Sequence, residues 1–213
     1  MSERVKPRLR GLLHLYAFYA SLPALPVLLL VSRTGRAACA GAVYGLSLVG
    51  LFGVSALFHR VHWSVSARRW MGRLDHAMIN VLIAGTFTPL GLVLSGTRAT
   101  VYLTLVWGGA LAATLLHALW IDAPKWLSAV VYLVLGWSGL TASPQLVSRV
   151  GWTPTALLLL GGALYSAGAA VYALRRPDPA PGVFGYHEVF HALVIAAAGT
   201  HYAVVAVWVL PGA

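Results

Sequence analysis

Ala37–Arg60 reads AACAGAVYGLSLVGLFGVSALFHR, and from Ala37 to Phe58 it carries no charged side chain. A run of this kind is as long as the ~20 residues that a helix needs to cross the hydrocarbon core of a bilayer. Lipid offers the backbone no hydrogen-bond partners, so the natural spanning element is a helix, which satisfies its own. The run closes on a serine and a histidine four residues apart, Ser55 and His59, which share one helical face. Arg60 then marks the membrane boundary.

The pattern repeats outward from this stretch. Of the 213 residues, 59% are hydrophobic and 9% charged, whereas soluble domains average about 25% charged; the mean hydropathy is +0.79. The charged residues punctuate rather than scatter: Glu3 to Arg10, Arg33 and Arg36, Arg60 to Asp75, Arg98, Asp122 and Lys125, Arg149, Arg175 to Asp178, and Glu188. Between them lie seven uncharged stretches: Gly11 to Ser32, Ala37 to Phe58, Ala77 to Gly96, Ala99 to Ile121, Trp126 to Ala142, Trp152 to Leu174 and His187 to Leu210. The fifth is interrupted after Ala142 by Pro144. These stretches predict an all-α membrane protein, a seven-transmembrane-helix bundle. Residues 11–213 form one transmembrane domain in this reading, and residues 1–10 a basic cytoplasmic tail.

Lysine and arginine set the expected orientation. With the N-terminus inside, the cytoplasmic segments hold Arg4, Lys6, Arg8, Arg10, Arg60, Arg68, Arg69, Arg73, Lys125, Arg175 and Arg176. The outer segments then hold only Arg33, Arg36, Arg98 and Arg149. The positive-inside rule therefore places the N-terminus in the cytoplasm and the C-terminus outside. The net charge of +10 fits attraction to anionic headgroups and calls for no nucleic-acid partner. Arg4 to Arg10 followed by an apolar run and Ala38-Cys39-Ala40 has the outline of a signal peptide. The apolar run exceeds the ~7–15 residues of such segments, however, and Arg33 and Arg36 intervene. Cys39 is the single cysteine, which rules out an intrachain disulfide and a cysteine-rich zinc site, so a metal here would need histidine and carboxylate ligands. Gly41, Gly45, Gly50, Gly53, Gly161 and Gly162 read as places of close helix approach. Trp63, Trp70, Trp126 and Trp152 read as interfacial anchors.

The alternating helix directions convert sequence position into depth. His14, His59, His76, His117, His187 and His191 all fall at or near the inner ends of their spans, His62 lies in the adjoining loop, and His201 lies about 15 Å deeper than His191. His187 and His191 are four apart on one helical face, a spacing by which two imidazoles hold one metal. A third ligand must come from another helix, and His59 stands at the right depth. Ionisable groups inside a membrane are expensive and usually functional, so His59, His187 and His191 together point to a metal site. Asp75, where the third span enters the membrane, and Ser55, one turn from His59, are its candidate water-handling neighbours; pairing of Asp75 with Arg73 or Arg69, and back-bonding of Ser55, are the structural alternatives. His14, His76, His117 and His201 read as interhelical hydrogen-bonding groups. Glu188 suits the N-terminus of its helix.

Ser55-Ala-Leu-Phe-His59-Arg, Arg73-Leu-Asp75-His76-Ala-Met-Ile, Ile83-Ala-Gly-Thr-Phe-Thr-Pro89 and Phe184-Gly-Tyr-His187-Glu-Val-Phe-His191 resemble the bacterial hemolysin III family. That family groups with the progestin and adiponectin receptors and, more remotely, with the alkaline ceramidases. The resemblance runs over essentially the whole chain. It implies a seven-helix protein of the bacterial inner membrane with a zinc ion near the cytoplasmic side, held by His59, His187 and His191. Asp75 would then bond to the water at the metal, with Ser55 nearby; His201 also belongs to the family pattern.

Three functions follow as expectations. The first is a zinc-dependent hydrolase of lipid amide or ester bonds, with membrane lipids as partners and substrates and with Asp75 and Ser55 as catalytic residues. The second is a pore-forming, cytolytic protein. The third is a lipid-responsive receptor with a structural zinc, in which Asp75 or His76 closes the fourth coordination position. A pore needs polar positions along its whole path, and the ionisable groups here crowd at one end. The oligomeric state is not set by the sequence.

Overall fold

The computed structural model describes residues 6–120 and 123–213; the first five residues of the basic tail, with Glu3 and Arg4, and also Asp122 lie outside them. Among the described residues every regular element is helical, apart from one isolated antiparallel bridge between Ala180 and Phe184. The α-helices are α1 (Leu12–Val31), α2 (Gly35–Arg60), α3 (Val65–Leu90), α4 (Thr97–Leu119), α5 (Lys125–Trp137), α6 (Ser143–Val150), α7 (Trp152–Leu174) and α8 (Tyr186–Val204). A 3₁₀ turn, Gly91–Val93, extends α3, and a π turn, Val205–Val209, followed by a 3₁₀ turn, Leu210–Gly212, extends α8. Six helices are long and apolar enough to cross a membrane: α1, α2, α3, α4, α7 and α8. The molecule is a helical bundle of membrane type.

Two elements depart from the expected spans. The third span was placed from Ala77, whereas α3 begins at Val65, where the Ser64 hydroxyl caps it by accepting the Ala67 N–H at 3.3 Å. Arg68, Arg69, Arg73 and Asp75 therefore stand on the same helix as the apolar run that follows them. Charge marks the end of an apolar run, but it does not end a helix. The second departure is at the fifth stretch, where α5 has 13 residues and gives way to a 3₁₀ segment, Ser138–Ala142. Pro144 follows in the first turn of α6. A proline has no N–H to donate and is tolerated in a first turn, where that N–H would have no intrahelical acceptor, so Pro144 suits the start of a new helix. Arg149, expected in an outer segment between spans, stands on α6.

Sequence neighbours pack in order, α1 on α2, α2 on α3 and α3 on α4, while α5 packs on α7 and α7 on α8. The ring closes where α8 meets α1, joined by the Tyr202 hydroxyl donating to the Ala24 carbonyl at 2.9 Å. Small residues permit the closest approaches, as expected. A Cβ on Gly53 would lie 3.0 Å from the Phe18 ring, and one on Gly161 would collide with His201 and Thr200. Trp70, Trp126 and Trp152 are exposed. Inside the ring is a cavity of about 320 Å³ with wall residues from α1, α2, α3, α5, α7 and α8. Helix α4 stands outside it, against α3.

Candidate metal centre

The start of α8 is fixed before its histidines are placed. The Gly185 N–H donates to Glu188 Oε2 at 2.9 Å and the Tyr186 N–H donates to Asp178 Oδ1 at 2.9 Å, which satisfies two of the amide donors that a helix leaves open at its N-terminus. The helix is thereby phased so that His187 and His191 face inward, with ring centroids 4.5 Å apart. His59, on the last turn of α2, meets them from across the ring. Its Nε2 is 3.1 Å from His187 Nε2, and one ligand atom from each of the three histidines lies within 4.8 Å of the others. All three rings are buried, at 6%, 9% and 2% exposure for His59, His187 and His191.

This donor set fits a metal ion. Tetrahedral coordination at ~2.0–2.1 Å per Zn–N bond separates ligand nitrogens by about 3.3 Å, close to the observed His59–His187 spacing. The Nδ1 atoms of His187 and His191 are buried without a hydrogen-bond partner, while His187 meets His59 through Nε2. No cysteine contributes, as the position of Cys39 near the far end of α2 requires.

Asp75 comes to the same place. Its Oδ2 lies 3.7 Å from His59 Nε2, too far for a direct hydrogen bond and near enough for both groups to touch a common third one. Ser55, one turn before His59 on α2, is buried and lines the same cavity as Asp75. Neither alternative partner, Arg73 or Arg69, forms an ion pair with Asp75 among the described residues; Arg73 Nε donates to the Ala118 carbonyl at 3.0 Å, and its guanidinium lies over the Trp70 ring.

The remaining histidines divide. His14, expected to hydrogen-bond a neighbouring helix, instead stacks flat on His191, with ring centroids 3.6 Å apart and an interplanar angle of 5°. Both of its nitrogens are buried without partners. Its helix can start so close to α2 because Gly11 adopts φ 77°, and a Cβ there would lie 2.5 Å from His59 Cβ. His76 Nδ1 is hydrogen-bonded to the Tyr132 hydroxyl at 2.7 Å. His117 Nδ1 donates to the Ala113 carbonyl at 2.8 Å, and its Nε2 accepts from the Ser128 hydroxyl at 3.0 Å. His201, deeper in the cavity wall, donates from Nε2 to the Leu158 carbonyl at 3.0 Å. These three are the interhelical contacts expected of them, and His62 is exposed. Glu188 has the structural place expected of it, as cap of α8 and as ion-pair partner of Arg10 at 2.6 Å.

A family profile described as "Haemolysin-III related" matches residues 2–202. The chain belongs to the haemolysin-III family. Within that family it is 30% identical over 218 residues to Hemolysin-3 of Bacillus cereus, a match covering 100% of this chain and 96% of the relative. It is 31% identical over 179 residues to the Hemolysin-3 homolog of Bacillus subtilis (strain 168), covering 82% and 81%. The similarity reaches the Adiponectin receptor protein of Drosophila melanogaster, at 32% identity over 188 residues, with 75% of this chain and 41% of that relative covered. These matches bear out the resemblance seen in the motifs around His59, Asp75, His187 and His191.

Proposed function

We propose that this haemolysin-III protein is a zinc-dependent hydrolase of lipid amide or ester bonds, working at the cytoplasmic side of the cell membrane. One observation carries the reading: three buried imidazole nitrogens converge within 4.8 Å of one another, beside a carboxylate and at the wall of a cavity. In this proposal the chain crosses the membrane seven times, N-terminus inside and C-terminus outside, with residues 1–10 as a tail on a single domain of residues 11–213. Helix α5 rises about 20 Å, and the 3₁₀ segment after it adds about 10 Å, which together match a hydrocarbon core of about 30 Å. The end that carries the histidines also carries Arg10, Arg60, Arg68 and Lys125, as the positive-inside rule asks of a cytoplasmic face.

Zinc held by His59, His187 and His191 would supply Lewis-acid polarisation of a substrate carbonyl and make water acidic enough to ionise near neutral pH. Asp75 is the base: its Oδ2 takes a proton from the attacking water as the new C–O bond forms. It returns that proton to the leaving amine or alcohol as the scissile C–N or C–O bond breaks. Ser55, on the same cavity wall, would orient the carboxylate. His14, stacked on His191, restrains the ring that it covers. Leu82, Phe87 and Val194 line the cavity below, and a volume of about 320 Å³ stands at the low end of the ~300–1,000 Å³ range of small-molecule sites, suited to one acyl chain. A pore reading would need polar groups along the whole path, which these apolar positions do not provide.

The test is metal analysis of purified protein followed by lipid hydrolysis. Wild type should hold stoichiometric zinc, His59→Ala and His191→Ala should lose it, and Asp75→Ala should keep it while losing release of fatty acid from a panel of lipid amides and esters. Wild type devoid of metal sinks the site. Zinc without cleavage across the panel turns the reading to a receptor with a structural zinc.

A further inference from the structure

The lipid taken by this site is a separate question from the reaction, and the charges on the cavity wall bear on it. Three cationic side chains, Arg10, Arg68 and Lys125, line the cavity against one carboxylate, Asp75. Basic residues at a membrane face ordinarily extend into water, but each of these is anchored. Arg10 pairs with Glu188 and is 18% exposed. The Arg68 guanidinium lies 5.0 Å over the Phe58 ring. Lys125 Nζ donates to the Tyr186 hydroxyl at 2.8 Å and sits 4.6 Å from the Tyr172 ring centroid. Aromatic faces order a cation without cancelling its charge, so Arg68 and Lys125 are positioned and still electrically available. They reach the cavity from α3 and α5, while Arg10 reaches it from the segment before α1.

Arg68 and Arg10, with Arg60, gather around the N-terminal segment outside the membrane, where the ammonium pKa of Lys6 is lowered by burial first and then by these three.

We propose that the mouth of the cavity is a phosphate site, and that the substrate is an amphiphile with a phosphate-bearing headgroup held by Arg68 and Lys125, with Arg10 behind them. This rests on the hydrolase reading for the word substrate, but not for the binding. Planar guanidinium and compact ammonium are the two groups that hold phosphate best. A quaternary ammonium headgroup, in contrast, needs open aromatic faces, and Lys125 already occupies those of Tyr172 and Tyr186. The site therefore favours an anionic phosphate over a quaternary ammonium group standing alone.

The test is titration calorimetry on full-length protein in neutral maltoside micelles, with zinc content measured on every sample. Dodecyl phosphate should bind wild type, and the Arg68→Gln, Lys125→Gln double variant should bind it at least about tenfold more weakly. Arg69→Gln with Arg176→Gln removes the same formal charge from residues that do not line the cavity, and should leave affinity within about twofold, the effect of distant screened charge being small. Dodecyltrimethylammonium bound as tightly as dodecyl phosphate, or a control as weak as the cavity variant, overturns the proposal. Inorganic phosphate displacing dodecyl phosphate at equal concentration also overturns it, by making the ligand free phosphate and not a lipid. Retained zinc shows that the variants are folded. Dodecyl phosphate binding without any lipid cleavage leaves the phosphate site standing while the hydrolase reading fails; cleavage indifferent to phosphate does the reverse.

Discussion

Two pairs of stacked histidines lie near the same end of the bundle, and they use their nitrogens in opposite ways. His76 and His117 stack at 5.3 Å and 11°, and protein groups take up their polarity: Tyr132 for His76, Ala113 and Ser128 for His117. His14 and His191 stack at 3.6 Å and 5°, and neither ring of that pair has a hydrogen bond on Nδ1. Burial is common to His14, His191 and His117, and His76 is half-buried. What separates them is whether the hydrogen-bonding capacity is spent. Buried polar groups are nearly always satisfied, so open nitrogens beside three histidines that could hold one metal ion set this pair apart from His76 and His117.

The largest effect that would break this contrast is a metal measurement. His187→Ala should reduce bound zinc to background, whereas His117→Ala should keep it at wild-type stoichiometry; zinc lost equally from both would erase the distinction. Next in size is Asp75→Asn, which should retain zinc and lower lipid hydrolysis by about 10²- to 10⁴-fold, the usual worth of a positioned acid–base group. His117→Ala leaves the Ser128 hydroxyl without its acceptor and should cost about 1–3 kcal/mol of stability, read as a lower thermal midpoint in detergent. Gly11→Ala forces a left-handed conformation on a residue with a side chain, at about 1–2 kcal/mol, and presses on His59, so its zinc should become easier to strip with a chelator. The smallest effect is expected from His14→Phe, which keeps an aromatic surface on His191 and should change stability by less than about 1 kcal/mol, with zinc retained.

Much of this arrangement was legible in the sequence because hydrophobic length and helical period are local. The uncharged runs located six long helices, and the i, i+4 spacing put His187 and His191 on one face. Depth inferred from alternating direction then brought His59 to them. What escaped depended on contacts between distant segments. The stack of His14 on His191 needs α1 to meet α8, and no local pattern announces which faces meet when a ring closes. The clamp of Lys125 by Tyr172 and Tyr186 is hidden for the same reason. The early start of α3 escapes for a different reason: the uncharged run begins only at Ala77, and the Ser64 cap that begins the helix carries a weak signal. The break after α5 was visible in Pro144, but α6 beyond it was not.

The contact between His59 and His187 spans 128 residues of sequence, and two of the three candidate ligands stand on the last helix. Synthesis proceeds from the N-terminus, so His59 enters the membrane early and waits through the insertion of every helix between. A nascent chain lacking α8 has one ligand and no centre. Metal capture would thus be the closing event of biogenesis, and an occupied site would report that the whole chain had been inserted and assembled.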